Sequence, residues 1–163
     1  MKITFLLLLS TGKDIDLAIS ILLPSIYFYF NLDDLESFII VVKDVDYILF
    51  SNRFNQFINK INNNKINYNI IKESTIFHNY SKNDINSYYL QMFLKLKISE
   101  LIKTQYYLTL DADVFFCGYT NISHLIKNNK AVYQKYNTKD VWTNRSIKFL
   151  NYDKNENKTI NQT

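Results

Sequence analysis

Residues 3–12 read ITFLLLLSTG, a continuous apolar run of strand length that ends at Ser10, Thr11 and Gly12. A strand without polar alternation is typical of one buried on both faces, as in a parallel sheet. Serine, threonine and glycine together favour a turn. This stretch therefore predicts a strand buried on both faces, with a loop at its carboxyl end.

Similar runs recur along the chain and alternate with helical patterns. Further strands are predicted at residues 38–42, 66–71, 106–110 and 131–136. The helical patterns lie at 14–30 (opening at Asp14 or Asp16 and kinked at Pro24), 51–61, 84–104 with Ser81 and Asp84 as a capping pair, and 121–128. Alternating strands and helices predict an α/β fold with a mostly parallel, Rossmann-like sheet flanked by helices.

Length and composition narrow the class of protein. The 163 residues, 47% of them apolar and 21% charged, suit one globular domain. We expect that domain at residues 1–150 and a polar tail at 151–163 that is frayed or marks a truncation point. The net charge of +4 comes without a basic run, so we expect no nucleic-acid partner.

The same composition bears on location. A single cysteine allows no internal disulfide, and no apolar stretch reaches the roughly 18 residues that a membrane span needs. The first apolar run lacks a small-residue cleavage site and is followed at once by Lys13 and Asp14, so it reads as a strand rather than a signal peptide. We expect a cytoplasmic protein without a transmembrane segment.

The strongest chemical signal is Asp111-Ala112-Asp113, which follows the predicted strand at 106–110 and precedes three more apolar residues. In parallel sheets, ligands bind beyond the carboxyl ends of the strands, here at residues 10–14, 43–46 and 111–113. Two carboxylates at the end of a buried strand are costly unless a charge compensates them, and Mn²⁺ or Mg²⁺ shared with substrate phosphates would do so. The alternative is a solvated acidic turn.

The helix predicted before this strand carries a second signal. Gln91 and Lys95 lie one turn apart in the middle of its apolar stripe. A buried lysine needs an anionic partner, either Asp111 or Asp113 or a substrate phosphate. Alternatively, its stem lies along the apolar surface and its ammonium reaches water.

With these residues in place, the chain resembles glycosyltransferases of the GT-A fold, in particular a glycosyltransferase group found in bacteria and in large DNA viruses. The resemblance is carried by YYLTLDADVFF at 106–116 and QMFLKLKISELIKT at 91–104, and is supported by the segment 16–44. It covers roughly residues 1–118. It implies transfer of a sugar from a nucleotide-sugar donor, most often a UDP-sugar, to a glycan or protein acceptor, in the host cytoplasm if the protein is viral.

The resemblance also implies roles for individual residues. Asp113 matches the direct metal ligand, and Asp111 the carboxylate near the ribose and the metal, with the small Ala112 between them. Ser10, Thr11 and Gly12 would lie beside the nucleotide, and Asp44 would meet its base or ribose. Lys95, with Gln91 beside it, would contact the diphosphate or the donor sugar.

The chain departs from the family pattern after Asp113, because only 50 residues follow where GT-A enzymes have a longer acceptor half and a further metal ligand, commonly histidine. The candidates for these missing roles are His124, Asp140, Trp142, Asp153 and Glu156. Asp140 beside Trp142 is either a base next to a sugar-stacking ring or part of a surface loop. Two alternatives therefore stay open: a non-catalytic nucleotide-sugar-binding domain, and another metal-dependent nucleotidyl or phosphoryl enzyme.

Aromatic residues are a further class of sugar-binding candidate. His78, Tyr80, Tyr88 and Tyr89 form an aromatic cluster in the sequence, and aromatic rings stack on sugars. In a chain with 13 tyrosines, the expectation is that such rings pack in the core.

Overall fold

A computed structural model describes residues 1–61, 66–77 and 87–132 of the chain. Residues Met1–Ala131 form one compact unit. In chain order its elements are β1 (Ile3–Leu9), α1 (Gly12–Leu17), α2 (Leu23–Tyr29), β2 (Leu35–Val42), α3 (Tyr47–Ile61), β3 (Tyr68–Lys72), α4 (Glu73–Ile76), α5 (Ser87–Lys97), β4 (Tyr107–Leu110), α6 (Ile122–Leu125), β5 (Ile126–Lys127) and β6 (Lys130–Ala131). The predicted boundary at residue 150 lies outside the described residues.

The main sheet has four parallel strands in the order β3-β2-β1-β4. In its register, Leu9 of β1 faces Val42 of β2, and Leu7 faces Leu110 of β4. All four strands therefore end at one edge. The predicted α/β fold, a parallel Rossmann-like sheet flanked by helices, is confirmed.

Both faces of β1 are buried, as its sequence predicts. Phe5 and Leu7 belong to the larger core cluster with residues of α1, α2 and α3, whereas Leu6 packs on the opposite face with Ile98. The Phe5 ring is fully buried, and its centroid lies 4.7 Å from that of Phe30 and 5.9 Å from that of Phe116. This aromatic contact joins the first strand to the segment that follows β4.

The first helical segment begins earlier than predicted, at Gly12, because Thr11 caps it. The Thr11 side chain accepts a hydrogen bond from the Asp14 amide (3.2 Å), and the Asp14 carboxylate accepts one from the Thr11 amide (2.8 Å). This reciprocal capping satisfies two amides that the first helical turn leaves without partners. A π-helical turn, Ala18–Leu22, divides the helix predicted at 14–30, and Pro24 lies in the first turn of α2.

Several other predicted boundaries shift. Strand β2 begins at the buried Leu35 rather than at residue 38, and α3 begins at Tyr47 rather than at residue 51. Strand β3 runs from Tyr68 to Lys72 rather than from 66 to 71, and β4 starts one residue later than predicted. Helix α5 ends at Lys97 and continues only as a 3-10 turn, Ile98–Leu101, instead of reaching residue 104. Its predicted start and the Ser81–Asp84 capping pair lie outside the described residues.

The helix predicted at 121–128 is wrong beyond Leu125. The chain forms a small antiparallel hairpin there, β5–β6, around Asn128 and Asn129. Both asparagines have left-handed backbone angles, with φ of 52° and 57°. Two such residues in succession are typical of a tight hairpin turn, and asparagine tolerates that conformation well. Of the strand predicted at 131–136, Ala131 lies in β6, and residues 133–136 lie outside the described residues.

In the described part of the chain, none of the helices combines the length and the apolar character that crossing a bilayer requires.

Candidate functional site

The candidate site lies where the strand order reverses. Strand β1 sits between β2 and β4, so the chain leaves β1 toward one side of the sheet and returns to the other side at β4. Open parallel sheets bind ligands in the crevice beyond the strand ends at such a reversal. The residues that follow these two strands are Ser10 and Asp111, and the Asp-Ala-Asp segment is therefore located at the expected crevice.

A cavity of about 370 Å³ opens there. It brings together six of the residues predicted from sequence: Ser10, Gln91, Lys95, Asp111, Ala112 and Asp113. The remaining lining residues are Leu8, Lys13, Asp14, Leu17, Tyr88 and Met92. Residues separated by about 100 positions in sequence thus share one cleft with mainly polar walls.

Lys95 is paired with Asp111, which is one of the partners that the sequence left open. Its ammonium lies 2.9 Å from a carboxylate oxygen of Asp111. The Lys95 side chain is only 17% exposed, whereas that of Asp111 is 67% exposed. The Tyr107 hydroxyl donates to the backbone carbonyl of Lys95 (3.2 Å) and so ties α5 to β4. The lysine is therefore held by its helix, and its charged end reaches the acidic loop.

Asp113 is placed differently. Among the described residues, its carboxylate has no hydrogen bond or ion pair. Ala112 is buried against the core, and the two aspartates on either side of it are exposed on the cavity wall. The expectation of two buried carboxylates is thus wrong: both are accessible to solvent, although both face a cleft.

The described residues contain no group of three or more His, Cys, Asp or Glu side chains placed to hold a metal ion. Two accessible carboxylates nevertheless fit Mg²⁺ or Mn²⁺, because such ions bind through one or two carboxylates and complete their shell with water and substrate phosphates. The Lys95 ammonium on Asp111 shows that a positive charge is already stabilised at this position.

A hydrogen-bond network orders the loop after β1. The Asp14 carboxylate accepts from the Ser10 amide (3.0 Å), the Ser10 hydroxyl (2.8 Å) and the Thr11 amide. Gln91 donates to the Ser10 hydroxyl (2.9 Å) and thereby links α5 to this loop. Partial burial raises the pKa of Asp14, but the hydrogen bonds from Ser10 and Thr11 together outweigh it and hold the pKa below its usual value. Asp14 is therefore charged at neutral pH, and it orients Ser10.

Three predicted binding residues do not line this cavity. Thr11 caps α1, and Gly12 is exposed, with no atom within 4 Å of where a Cβ would stand. Asp44 accepts hydrogen bonds from the Ser74 amide (3.1 Å) and hydroxyl. It thus joins the turn after β2 to α4.

A second, smaller cavity of about 90 Å³ adjoins the first. Leu8, Ser10 and Gln91 line both. Its other walls come mainly from leucines of α5, from Val41 and from two charged residues that follow β2 and β3: Leu9, Val41, Lys43, Glu73, Leu90 and Leu94. The loop after β2 therefore contributes Lys43, rather than Asp44, to the edge of the sheet.

His124, a candidate for the further metal ligand, has a capping role. Its Nδ1 accepts from the Asn121 amide (3.2 Å) at the start of α6. Asp140, Trp142, Asp153 and Glu156 lie outside the described residues, as do His78 and Tyr80.

Sequence reasoning missed several residues of the cavity. Lys13 and Asp14 fall within the predicted ligand-binding loop at residues 10–14, but no individual role at the site was predicted for either of them, and both line the cavity. The expectation that Tyr88 and Tyr89 pack in the core is wrong, since they are 62% and 67% exposed, and Tyr88 lines the cavity. Met92, one position after Gln91 on α5, lines it as well.

Comparison with known proteins identifies the family of this chain. No curated protein and no solved structure matches the chain. One family model matches residues 2–163, nearly the whole length. The chain therefore belongs to the family of unknown function DUF6492.

Proposed function

We propose that this protein is a metal-dependent glycosyltransferase that binds a nucleoside diphosphate sugar, with UDP-sugars the first candidates, in the cavity between the ends of β1 and β4. One observation carries the proposal: Asp111 and Asp113 share a cleft with Lys95, Gln91 and Ser10 at the point where the strand order reverses.

The charges of the cavity support a ligand that combines a cation with an anion. Three carboxylates line it, those of Asp14, Asp111 and Asp113, together with the ammonium groups of Lys13 and Lys95. This excess of one negative charge disfavours a diphosphate alone. A divalent cation makes the balance positive and lets the diphosphate bind, so the two ligands should bind cooperatively.

The walls offer groups for each part of such a ligand. Lys13 and Lys95 supply ammonium donors for phosphate oxygens, and Ser10 and Gln91 supply polar atoms in positions fixed by their mutual hydrogen bond. The adjoining apolar cavity beside Val41 and Leu94 is suited to a flat ring such as a nucleobase. A nucleotide sugar would thus lie across both cavities.

In the proposed reaction, the bond between the donor's anomeric carbon and the diphosphate oxygen breaks, and its electron pair leaves with the diphosphate. The oxygen of an acceptor hydroxyl forms a new bond to that carbon, and the hydroxyl proton passes to solvent or to the departing diphosphate. Asp113 and Asp111 would hold a divalent cation, which would supply Lewis-acid stabilisation of the departing diphosphate. Lys95 and Lys13 add positive charge on the same side of the leaving group. Asp14 acts indirectly, because it holds Ser10 in place.

A thermal-shift panel with UDP-, GDP- and CDP-sugars, each with and without Mn²⁺, tests the binding step. A ligand at 100 times its Kd should add about 2.7 kcal/mol to the unfolding free energy, which is readily seen as a rise in Tm. We expect a rise for at least one nucleotide sugar that depends on Mn²⁺. If no nucleotide sugar raises the Tm in the presence of Mn²⁺, the proposal fails.

Product analysis then separates catalysis from binding. Incubation of the stabilising donor with Mn²⁺ should release free sugar by slow hydrolysis, or a glycosylated product once an acceptor is present. Asp113→Asn removes a proposed metal ligand. Its matched control is Asp16→Asn, which also removes an exposed carboxylate, although Asp16 pairs with Arg53 and does not line the cavity. Binding without release or transfer would indicate a nucleotide-sugar-binding domain instead of an enzyme.

A further inference from the structure

The cation that neutralises Asp111 in this structure belongs to the protein itself. The Lys95 ammonium lies 2.9 Å from a carboxylate oxygen of Asp111, which is an ion-pair distance. A divalent cation would bind this same carboxylate. Asp113, two residues away, has no such partner among the described residues. The two aspartates are therefore not equivalent, and only one of them is available to a metal ion without a competitor.

We propose that Lys95 is a displaceable internal cation, which holds Asp111 until a metal–diphosphate complex arrives and then transfers its ion pair from Asp111 to the diphosphate. This inference rests on the proposed function, and it adds an exchange step to it. Lys95 competes with the metal ion for Asp111, and after the exchange it contacts the diphosphate directly.

Geometry makes this exchange feasible. Lys95 projects from α5 into the cavity, and only 17% of its side chain is exposed. Movement of its ammonium is therefore largely confined to the cavity. Asp111 is 67% exposed and is thus accessible from solvent on its other side. The lysine side chain is a flexible four-carbon stem. Rotation about its bonds can turn the ammonium from the carboxylate toward a phosphate without moving the helix.

Electrostatics gives the exchange a direction. A metal ion alone must compete with Lys95 for Asp111, and after binding it must tolerate an unpaired ammonium next to it. A metal ion that carries a diphosphate avoids this cost, because the displaced ammonium gains a phosphate partner. Lys95 should therefore weaken the binding of free Mn²⁺ and strengthen the binding of Mn²⁺ with UDP. Lys95 thus favours binding of the Mn²⁺–UDP complex over binding of free Mn²⁺.

Two opposite effects of one substitution test this idea. In Lys95→Met, free Mn²⁺, followed by its electron paramagnetic resonance signal, should bind about 3- to 10-fold more tightly, because its competitor is gone. UDP, titrated calorimetrically at saturating Mn²⁺, should bind about 10-fold more weakly, because a charge-assisted hydrogen bond is lost. A residue with only a structural role would weaken both.

Three variants serve as controls. Lys95→Arg keeps on α5 a cation that can pair with Asp111, so it should not tighten Mn²⁺ binding as Lys95→Met does. Lys13→Met removes a cavity lysine that forms no ion pair with Asp111, so it should weaken UDP binding without tightening Mn²⁺ binding. Lys97→Met removes a lysine of the same helix that pairs with Glu100, and it should change neither affinity.

The outcomes separate this inference from the proposed function. If wild type binds UDP with Mn²⁺ but Lys95→Met binds free Mn²⁺ no more tightly, the exchange is refuted and the proposed function stands. If folded wild type and folded Lys95→Met both fail to bind Mn²⁺ with UDP, both are refuted. Circular dichroism and Tm establish the fold of each variant, and Lys95→Gln replaces Lys95→Met if the latter does not fold.

Discussion

The carboxylate of Asp14 offers a test of the loop that positions the site. It accepts three hydrogen bonds, from the Ser10 amide at 3.0 Å and from the Ser10 hydroxyl and the Thr11 amide at 2.8 Å each. All three bonds converge on one carboxylate oxygen, Oδ2, so Asp14→Asn keeps the size of the side chain but replaces a charged acceptor by a neutral amide. Loss of a capping interaction of this kind costs about 1–2 kcal/mol of unfolding free energy at pH 7.

The sign of the pH dependence follows from the depressed pKa. The pKa of Asp14 lies below its usual 3.8 in the folded protein, so the charged form contributes stability at higher pH that is lost as the pH falls through the folded-state pKa. Urea unfolding should therefore show a difference between wild type and Asp14→Asn at pH 7 that narrows below about pH 4.

Asp16→Asn is the control for Asp14→Asn. It removes a carboxylate two residues away that is 67% exposed and pairs with Arg53 at the surface, so the cost should stay within about 0.2–1 kcal/mol. Two results would refute this account of the loop: equal stability of wild type and Asp14→Asn at pH 7, or a difference between them that is as large at pH 3 as at pH 7.

Three further substitutions probe the fold by denaturant or thermal unfolding. Phe5→Ala should lower the unfolding free energy by about 3–5 kcal/mol, because it removes a fully buried ring from the centre of the aromatic core. Phe28→Ala, at a ring that is 70% exposed, should change it by less than about 0.5 kcal/mol. Similar losses in the two variants would argue against this core. Thr4→Val should cost about 1–2 kcal/mol, because the buried Thr4 hydroxyl is hydrogen-bonded to Ser37 and Thr104, and a gain in stability would contradict those bonds. Gly12→Ala should leave the Tm unchanged or raise it, since a Cβ there meets no atom within 4 Å, and a clear loss of stability would contradict the helix start at Gly12.

The sequence predicted the sheet better than the helices. The apolar runs of β1, β2 and β4 carry a signal that does not depend on their neighbours, since a strand buried on both faces has to be apolar throughout. Helix ends depend on local bonds: α1 begins at Gly12 because Thr11 and Asp14 cap each other. The hairpin at Asn128 and Asn129 depends on two left-handed residues that the helical pattern did not reveal.

The site was partly predictable for a similar reason. Asp111 and Asp113 stand directly after a buried strand, and that adjacency is visible in the sequence. Asp44 occupies a similar position after β2, yet it bonds to Ser74, which is 30 residues away in the chain. Such a partner follows from the pairing of β2 with β3 and is not visible in the local sequence. Strand order decides which loops meet, and it became available only with the structure.

Calorimetric titration of UDP into the protein, with and without Mn²⁺, tests the central claim most directly. We expect wild type and Asp16→Asn to bind UDP only in the presence of Mn²⁺, and Asp113→Asn to lose this binding while its Tm stays near that of wild type. UDP binding that is equally tight in Asp113→Asn, or equally tight without Mn²⁺, would contradict a cation held by the Asp111–Asp113 loop.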